Sequence, residues 1–182
     1  MAKIYTRGGD KGQTGLPGER RVSKTDQLFE VLGFLDQTNA QIGLAISLAR
    51  QEKDENPVPT LERVQRMLLT IGSALASEAG FQETILQKLT TEVTWMEGVI
   101  DKLDEELPLL RNFILVGGTP AGATLHLVRT SVRQTERQFH RLGGKQKPAE
   151  AAQYLNRLSD FFFQIARYYN FKHNRKEAIW KP

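Results

Sequence analysis

The chain has 182 residues, of which 40% are hydrophobic and 25% charged, and its formal net charge is +4. This composition is typical of a globular protein with one sizeable core and excludes wholesale disorder. The absence of cysteine excludes disulfides, thiolate metal sites and a cysteine nucleophile, and the three histidines lack the spacing of a zinc site. No apolar run approaches the ~18 residues of a membrane span and nothing resembles a signal peptide, so we expect a cytoplasmic protein.

Residues 1–22 form a charged, glycine-rich segment whose pattern favours neither a stable helix nor a regular strand. Within it, the run from Thr6 to Gly15 combines glycine amides that can turn inward with the cationic side chains of Arg7 and Lys11. That combination suits a polyphosphate, although the spacing is not that of a Walker A loop. A surface terminus without a ligand is the alternative.

The rest of the sequence predicts five amphipathic helices, because apolar residues recur at steps of three and four. The first helix is predicted over 26–50. The second is predicted to start at a capping Thr60 and to end near Gly80. The third is predicted to follow Thr90 and to stop before Pro108.

A loop over 111–122 precedes the fourth helix, predicted over 122–142, and Pro148 is suited to the first turn of the fifth helix. The connections are short, which favours antiparallel neighbours, and no sheet is expected. The sequence therefore predicts an all-α fold, a five-helix up-and-down bundle with an irregular N-terminal segment. We expect one domain that comprises this segment, the bundle and a polar tail, over 1–22, 23–172 and 173–182.

The fourth helix carries arginines at four-residue steps, namely Arg129, Arg133, Arg137 and Arg141. Each step turns only about 40° around a helix, so the guanidinium groups form a ribbon beside the apolar face. Planar guanidinium groups bind phosphate oxygens through two hydrogen bonds, which makes this arginine ribbon a candidate triphosphate site. Glu136 is the only carboxylate between Thr124 and Leu142, which weighs against the alternative of a balanced, solvated face.

Three further features could contribute to a site. Asn156 and Asp160 share a face of helix five turned away from its apolar stripe, where they could bind a nucleobase or a ribose. Asp36 lies midway along the apolar first helix and could pair with an arginine, although solvent exposure would also explain it. The run from Gly117 has Ala123 where a P-loop needs lysine, so a glycine turn into helix four is favoured.

Taken together, these residues resemble the PduO-type family of ATP:cob(I)alamin adenosyltransferases. Four blocks in the family's order carry the resemblance, namely Lys3–Gly12, Gly33–Asp36, Phe113–Gly118 and Leu155–Asp160. The sequence departs from the family pattern at Gly8, Val116 and Gln37, none of which removes a residue assigned to catalysis.

The resemblance implies an enzyme that transfers the 5′-deoxyadenosyl group of ATP to the cobalt of cob(I)alamin and releases inorganic triphosphate. It implies a homotrimer with active sites between subunits, ATP and cobalamin as substrates, and Mg²⁺ brought in with ATP. By position, it assigns ATP contacts to Thr6, Arg7, Gly8, Gly9, Thr14, Gly15, Lys24, Arg133, Glu136, Arg137 and Asn156.

The resemblance also implies roles for residues outside the nucleotide site. Phe113 matches a phenylalanine that packs under the corrin ring and displaces the lower axial base. Asp36 and Arg129 match an ion pair that crosses the subunit interface, and Trp180 could close over the corrin as a C-terminal lid. A reductase and an adenosylcobalamin-dependent acceptor enzyme are the expected protein partners.

Two other functions remain open at this stage. One is a non-catalytic nucleotide sensor or cobalamin chaperone of the same fold, which loss of Arg133, Asn156 or Phe113 would favour, but all three are present. The other is a helical nucleic-acid binder that uses the arginine ribbon. The small net charge and the lack of aromatic residues on the ribbon weigh against it, so we expect neither nucleic acid nor membrane as a partner.

Overall fold

The computed structural model describes residue 5 and residues 7–18 and 21–181, and five helices make up most of this part of the chain. The helices are α1 (Gln27–Gln51), α2 (Val58–Ala76), α3 (Glu83–Glu106), α4 (Pro120–Phe139) and α5 (Ala149–Lys172). Helix α1 packs against α2 and α4, and α5 packs against α3 and α4. The predicted all-α five-helix bundle is therefore confirmed. None of the described helices combines the length and the hydropathy that a membrane span requires.

The core lies where the apolar stripes of the helices meet. Its largest fully buried side chains include Ile42 of α1, Leu68 of α2, Met96 of α3, Phe139 of α4 and Phe162 of α5. Each of these helices presents apolar residues at steps of three and four toward the centre, as the periodicity predicted. Burial of each large apolar side chain contributes about 1.5–3 kcal/mol, so these stripes supply the main driving force for assembly.

Two predicted helix starts are wrong. Helix α2 begins at Val58 rather than at Thr60, because Pro57 already holds a helical φ of −76° at the N-cap position. Helix α3 begins at Glu83, well before the predicted start after Thr90. The missed turns carry Ile85, Leu86 and the fully buried Leu89 at the same three- and four-residue steps that lead on to Val93, so the periodicity extends further back than the predicted start.

The other boundaries differ by a few residues. Helix α1 starts after Asp26, whose carboxylate accepts a hydrogen bond from the Leu28 amide at 2.9 Å, close to the predicted position. Helix α4 begins at Pro120, two residues before the predicted start, and ends at Phe139. Helix α5 begins at Ala149, so Pro148 occupies the N-cap position rather than the first turn in which it was predicted.

Two small antiparallel strand pairs were not predicted. They are β1 (Gln13–Gly15) with β2 (Arg21–Ser23), and β3 (Ile114–Leu115) with β4 (Ala178–Ile179). The first pair makes the described part of the N-terminal segment a hairpin, and the second places the predicted polar tail against the loop before α4. Strands of two or three residues are too short to show an alternating pattern in the sequence, and a few backbone hydrogen bonds hold them together.

Glu52 joins three helices just beyond the end of α1. One carboxylate oxygen accepts a hydrogen bond from the Tyr169 hydroxyl at 2.9 Å, and the other accepts one from the Ala121 amide at 3.0 Å. The Ala121 amide lies in the first turn of α4, where amides have no partner within the helix. Burial and the hydrogen bond to Glu52 raise the pKa of Tyr169, so its hydroxyl remains a donor. The contact fixes the start of α4 relative to α1 and α5.

We expect Glu52→Ala to lower the free energy of unfolding by about 2 kcal/mol, because it leaves a helix-end amide and a phenol without their acceptor. The matched control is Glu55→Ala, which removes an exposed ion pair with Arg50 and should cost about 0.5 kcal/mol or less. Urea unfolding followed by circular dichroism measures both values. Equal effects of the two substitutions would contradict a joining role for Glu52.

Candidate active site

A cavity of about 880 Å³ opens between the loop after α3, helix α4 and helix α5. Phe113, Val116 and Phe163 contribute apolar surface to it, and Arg129 and Arg133 contribute guanidinium groups. The volume suits a large ligand, since pockets for small molecules usually measure about 300–1,000 Å³. The cavity can therefore bind a molecule that has both an extended apolar surface and an anionic part.

Phe113 lines the cavity, and 81% of its surface is exposed. Its ring meets the ring of Trp180 edge-on, with centroids 6.4 Å apart and planes inclined by 79°. The Trp180 amide donates a hydrogen bond to the Phe113 carbonyl at 2.8 Å, which extends the pairing of β3 with β4. The C-terminal segment thus braces an exposed aromatic ring that is available to an apolar ligand.

Arg129 is the least exposed member of the arginine ribbon. Burial, and secondarily the charge of Arg133, lower the pKa of Arg129. Its Nε is buried and has no hydrogen-bond partner among the described residues, and its guanidinium lies 5.9 Å from the centre of the Phe163 ring. A buried donor without a partner is costly, so this end of the ribbon is arranged to receive an acceptor from outside the chain.

Arg133 and Arg137 are exposed, and neither forms an ion pair with any described acidic side chain. Arg141, further along the ribbon, donates only to the amide oxygen of Gln138 at 3.4 Å. The ribbon therefore keeps its positive charge uncompensated within the described chain. Such a row of guanidinium groups attracts an anion and can bind several phosphate oxygens together.

Asn156 lies beside the ribbon because its side-chain amide donates to the Glu136 carboxylate at 2.9 Å, which links α5 to α4. Asn156 and Asp160 are both exposed, as predicted from their shared face. Arg157, which had no predicted role, donates to Asp160 and to Glu97 at 3.0 Å each and holds Asp160 at the cavity. The structure thus brings the predicted Asn156, Glu136 and Asp160 together near the arginines.

Asp36 is exposed on α1 and forms no ion pair with the described residues, so it does not contact Arg129 within one chain. The resemblance expects these two residues to pair between subunits. That pairing remains a prediction, because the structure contains a single chain.

The N-terminal hairpin brings together only part of the predicted nucleotide segment. The Lys24 amide donates to the Gly12 carbonyl at 2.9 Å, and a Cβ added to Gly9 would lie 2.9 Å from the Lys24 ammonium. The Gly8 carbonyl accepts a hydrogen bond from Arg21 at 2.5 Å. Glycine at position 9 therefore leaves room for the Lys24 side chain next to the backbone.

Four other residues of this segment were also predicted to contact ATP. Thr14 and Gly15 lie in β1, Arg7 has a positive φ of 58°, and Thr6 lies outside the described residues. No hydrogen bond or ion pair of the described chain joins the hairpin to the arginine ribbon. The described part of one chain thus does not assemble the whole predicted nucleotide site.

Arg167 of α5 is a buried cation that the sequence patterns did not single out. It is 3% exposed and donates to Glu177 at 2.6 Å, to the Pro108 carbonyl at 2.8 Å and to Gln164 at 3.2 Å. These bonds tie the C-terminal segment and the loop after α3 to α5. The one available signal was an arginine among the apolar and aromatic residues of the second half of helix five, at a position off the predicted apolar stripe.

His126 of α4 is buried behind the cavity, 6.0 Å from the Phe163 ring, and its Nδ1 has no hydrogen-bond partner among the described residues. Burial lowers its pKa to about 4, the positive charges of Arg129 and Arg167 act in the same direction, and Glu177 opposes them. The imidazole is therefore neutral near pH 7 and avoids adding a third positive charge beside two guanidinium groups.

This histidine makes the stability of the protein depend on pH. Its folded pKa of about 4 lies below the ordinary 6.5, so the unfolded chain takes up the proton first and unfolding becomes easier as the pH falls through that range. Urea unfolding at several pH values should show wild-type protein losing about 2 kcal/mol relative to His126→Gln between neutral pH and about pH 4. A difference that stays constant with pH would contradict the burial of a neutral imidazole.

Comparison with known proteins finds relatives along nearly the whole chain. The model of the cobalamin adenosyltransferase family matches residues 4–169. A corrinoid adenosyltransferase of Mus musculus is 39% identical over 189 residues, with 100% of this chain and 78% of that protein covered. A corrinoid adenosyltransferase of Bacillus subtilis is 40% identical over 171 residues, with 92% of this chain and 86% of that protein covered.

Solved structures resemble the chain over the same extent. A variant PduO-type ATP:corrinoid adenosyltransferase from Lactobacillus reuteri, complexed with cobalamin and ATP, has a TM-score of 0.88 and 32% sequence identity, covering 98% of this chain and 97% of that chain. Another variant of such an enzyme from Lactobacillus reuteri, complexed with ATP, has a TM-score of 0.85 and 32% identity, covering 98% of this chain and 100% of that chain.

Proposed function

The chain belongs to the cobalamin adenosyltransferase family, and we infer that it transfers the 5′-deoxyadenosyl group of ATP to the cobalt of cob(I)alamin, releasing inorganic triphosphate. The observation that carries this function is the shared cavity, in which the exposed Phe113 ring and the unpaired guanidinium groups of Arg129 and Arg133 occur together. Such a cavity has surface for a flat apolar macrocycle and charge for a polyphosphate.

The reaction needs alignment and charge stabilisation more than acid–base chemistry. Cob(I)alamin is itself a strong nucleophile toward the 5′-carbon of ATP, so no general base or covalent protein intermediate is required. Triphosphate leaves with concentrated negative charge, which Arg133 and Arg137 can stabilise because neither forms an ion pair with a described carboxylate. The Asn156–Glu136 pair, held at 2.9 Å, would bind the ribose and fix the direction of the 5′-carbon.

Phe113 would act on the corrin. A phenylalanine beneath the ring occupies the place of the lower axial base, and loss of that ligand lowers the energy of the orbital that accepts the electron when cob(II)alamin is reduced. The 81% exposure of Phe113 and its bracing by Trp180 support this role, because they hold an apolar ring ready at the cavity. Trp180 could in addition cover the bound corrin.

Mg²⁺ is proposed to arrive with ATP rather than to bind a site built by the protein. Among the described residues, no group of three acidic or histidine side chains is placed to hold a metal ion. The one carboxylate within the ribbon, Glu136, is already bonded to Asn156. The donors available here are thus cationic and suit the phosphate oxygens around a nucleotide-bound ion.

We propose that the active enzyme is a homotrimer with its active sites between subunits. Asp36 and Arg129 each lack an ionic partner among the described residues of one chain, and pairing them between neighbours would satisfy both. The hairpin of a neighbouring subunit would then supply Arg7, Gly9 and Lys24 to the nucleotide, together with Thr6, Gly8, Thr14 and Gly15. In this arrangement two neighbouring subunits form each active site, and each subunit is a single domain.

We propose a cellular setting that is compatible with these substrates. The reaction consumes ATP and a strongly reduced corrinoid, which is in keeping with a location in the cytoplasm and with a reductase as electron donor. An adenosylcobalamin-dependent enzyme would receive the product. A non-catalytic nucleotide sensor or cobalamin chaperone of the same fold is the second candidate, and turnover distinguishes the two.

The decisive experiment incubates the protein anaerobically with chemically reduced cobalamin and MgATP and follows adenosylcobalamin by absorbance. We expect turnover in wild-type protein and a fall in kcat/KM of about 10²-fold in Arg133→Ala, since one charge on the leaving group is lost. Arg141→Ala, at the far end of the same ribbon, is the control and should remain near wild type. Folded protein without turnover would favour the sensor or chaperone.

Phe113→Ala should impair the corrin side of the reaction alone. We expect the base-off fraction of cob(II)alamin, measured by electron paramagnetic resonance in the presence of ATP, to fall strongly, while the Kd for ATP changes by about twofold or less. Leu115→Ala, an exposed apolar truncation on the same strand, is the control. Equal damage to ATP binding would show that Phe113 does not belong to the corrin side.

A further inference from the structure

Asn170, in the last turn of α5, binds the turn that connects β3 to α4. Asn170 is 6% exposed, and its side chain makes two hydrogen bonds to that turn, one of them buried and the other partly buried. The amide oxygen accepts from the Thr119 backbone at 3.0 Å, and the amide nitrogen donates to the Gly117 carbonyl at 2.8 Å. One side chain thereby satisfies a donor and an acceptor of the turn, which would otherwise be left unpaired.

The turn is fitted closely around this side chain. A Cβ added to Gly118 or to Gly122 would overlap the Asn170 amide group. Gly118 also has a φ of 112°, a backbone conformation that residues other than glycine rarely adopt. Gly122 lies inside α4 without a positive φ, so what restricts the residue at that position is space, and the three atoms nearest to an added Cβ all belong to the Asn170 amide group.

Along the chain, the turn lies between the residue proposed to contact the corrin and the arginines of the cavity. Phe113 and β3 precede it, and α4 with Arg129 and Arg133 follows it. Asn170 itself belongs to α5, which contributes Asp160 to the same cavity. Asn170 does not line that cavity, so it can affect a ligand there only through the residues that it holds.

We propose that Asn170 is a positioning residue of the transferase reaction. Its two hydrogen bonds fix the turn to α5 and so set the distance from the Phe113 ring to the guanidinium groups of Arg129 and Arg133 in the cavity. If the turn relaxed, the position of Phe113 would depend on the short pairing of β3 with β4, whereas the arginines on α4 would stay in place, because α4 is also fixed by Glu52 and by its packing on α1. This inference rests on the proposed function, since it assumes that Phe113 acts on the corrin.

The test uses Asn170→Ala and Gly122→Ala, each alone and combined, in the full chain. Asn170→Ala removes both hydrogen bonds, and Gly122→Ala displaces the Asn170 side chain while leaving it present. We expect each variant to lower kcat by about tenfold or more and to reduce the base-off fraction of cob(II)alamin, with the KM for ATP within about twofold of wild type. Gly98→Ala on α3, where no atom lies within 4 Å of the added Cβ, is the control and should match wild type.

The combined variant shows whether Gly122 acts through Asn170. We expect it to be no more impaired than Asn170→Ala. The methyl group added at position 122 acts by displacing the Asn170 amide group, and the combined variant no longer has that group. If Asn170→Ala fails to fold, Gly122→Ala still tests the inference through the same two measurements.

Each contrary outcome has its own meaning. Folded variants with the wild-type kcat and base-off fraction would overturn the positioning role even if their thermal stability fell, as would additive losses in the combined variant. Equal losses in kcat and in ATP binding would overturn it as well, because the turn would then affect the whole site. Wild-type protein without adenosylcobalamin formation would instead overturn the proposed function, and this inference with it.

Discussion

Helix α4 meets two opposing requirements, and the arrangement of the site depends on how it does so. One side buries Leu125, Val128, Val132 and Phe139 between α1 and α5. Beside it lie guanidinium groups at four-residue steps, which repel one another by about 0.2–0.5 kcal/mol for each neighbouring pair. Burial of each apolar side chain contributes about 1.5–3 kcal/mol, so the packing side outweighs the repulsion. The fold thus maintains an unneutralised row of charge that an anionic ligand relieves.

The contact between α1 and α4 gives this helix a fixed rotation. Thr38 and Thr135 are both buried, and their hydroxyls lie 3.1 Å apart, while the Phe34 carbonyl lies 2.7 Å from the Thr38 hydroxyl and 3.2 Å from that of Thr135. Polar groups buried in an apolar interface have few satisfying partners, so they specify one register more strictly than apolar contacts do. That register determines which arginines reach the cavity and which remain in solvent.

The sequence predicted those features that repeat or that stand next to each other along the chain. Apolar periodicity located the five helices, and the four-residue spacing located the ribbon that begins at Arg129. The start of α3 was placed too late, although Ile85 and Leu89 continue its apolar spacing, and the pairing of β3 with β4 was missed because it joins residues 114 and 179, which are far apart along the chain. Asn170, Arg167 and His126 could not be recognised, since their roles exist only after α5 has packed against α4 and the tail. The nucleotide segment is incomplete for a related reason, as it depends on residues that one described chain does not bring together.

The two tryptophans of the chain stand in different surroundings, and this gives the protein an optical consequence. Trp95 is partly buried in the bundle, 5.3 Å from Phe161 and with the Arg63 guanidinium 3.9 Å from its ring centre. Trp180 is half exposed and touches Phe113. A ligand that packs on Phe113 would change the surroundings of Trp180 directly, so the emission of this tryptophan would report whether the cavity is occupied.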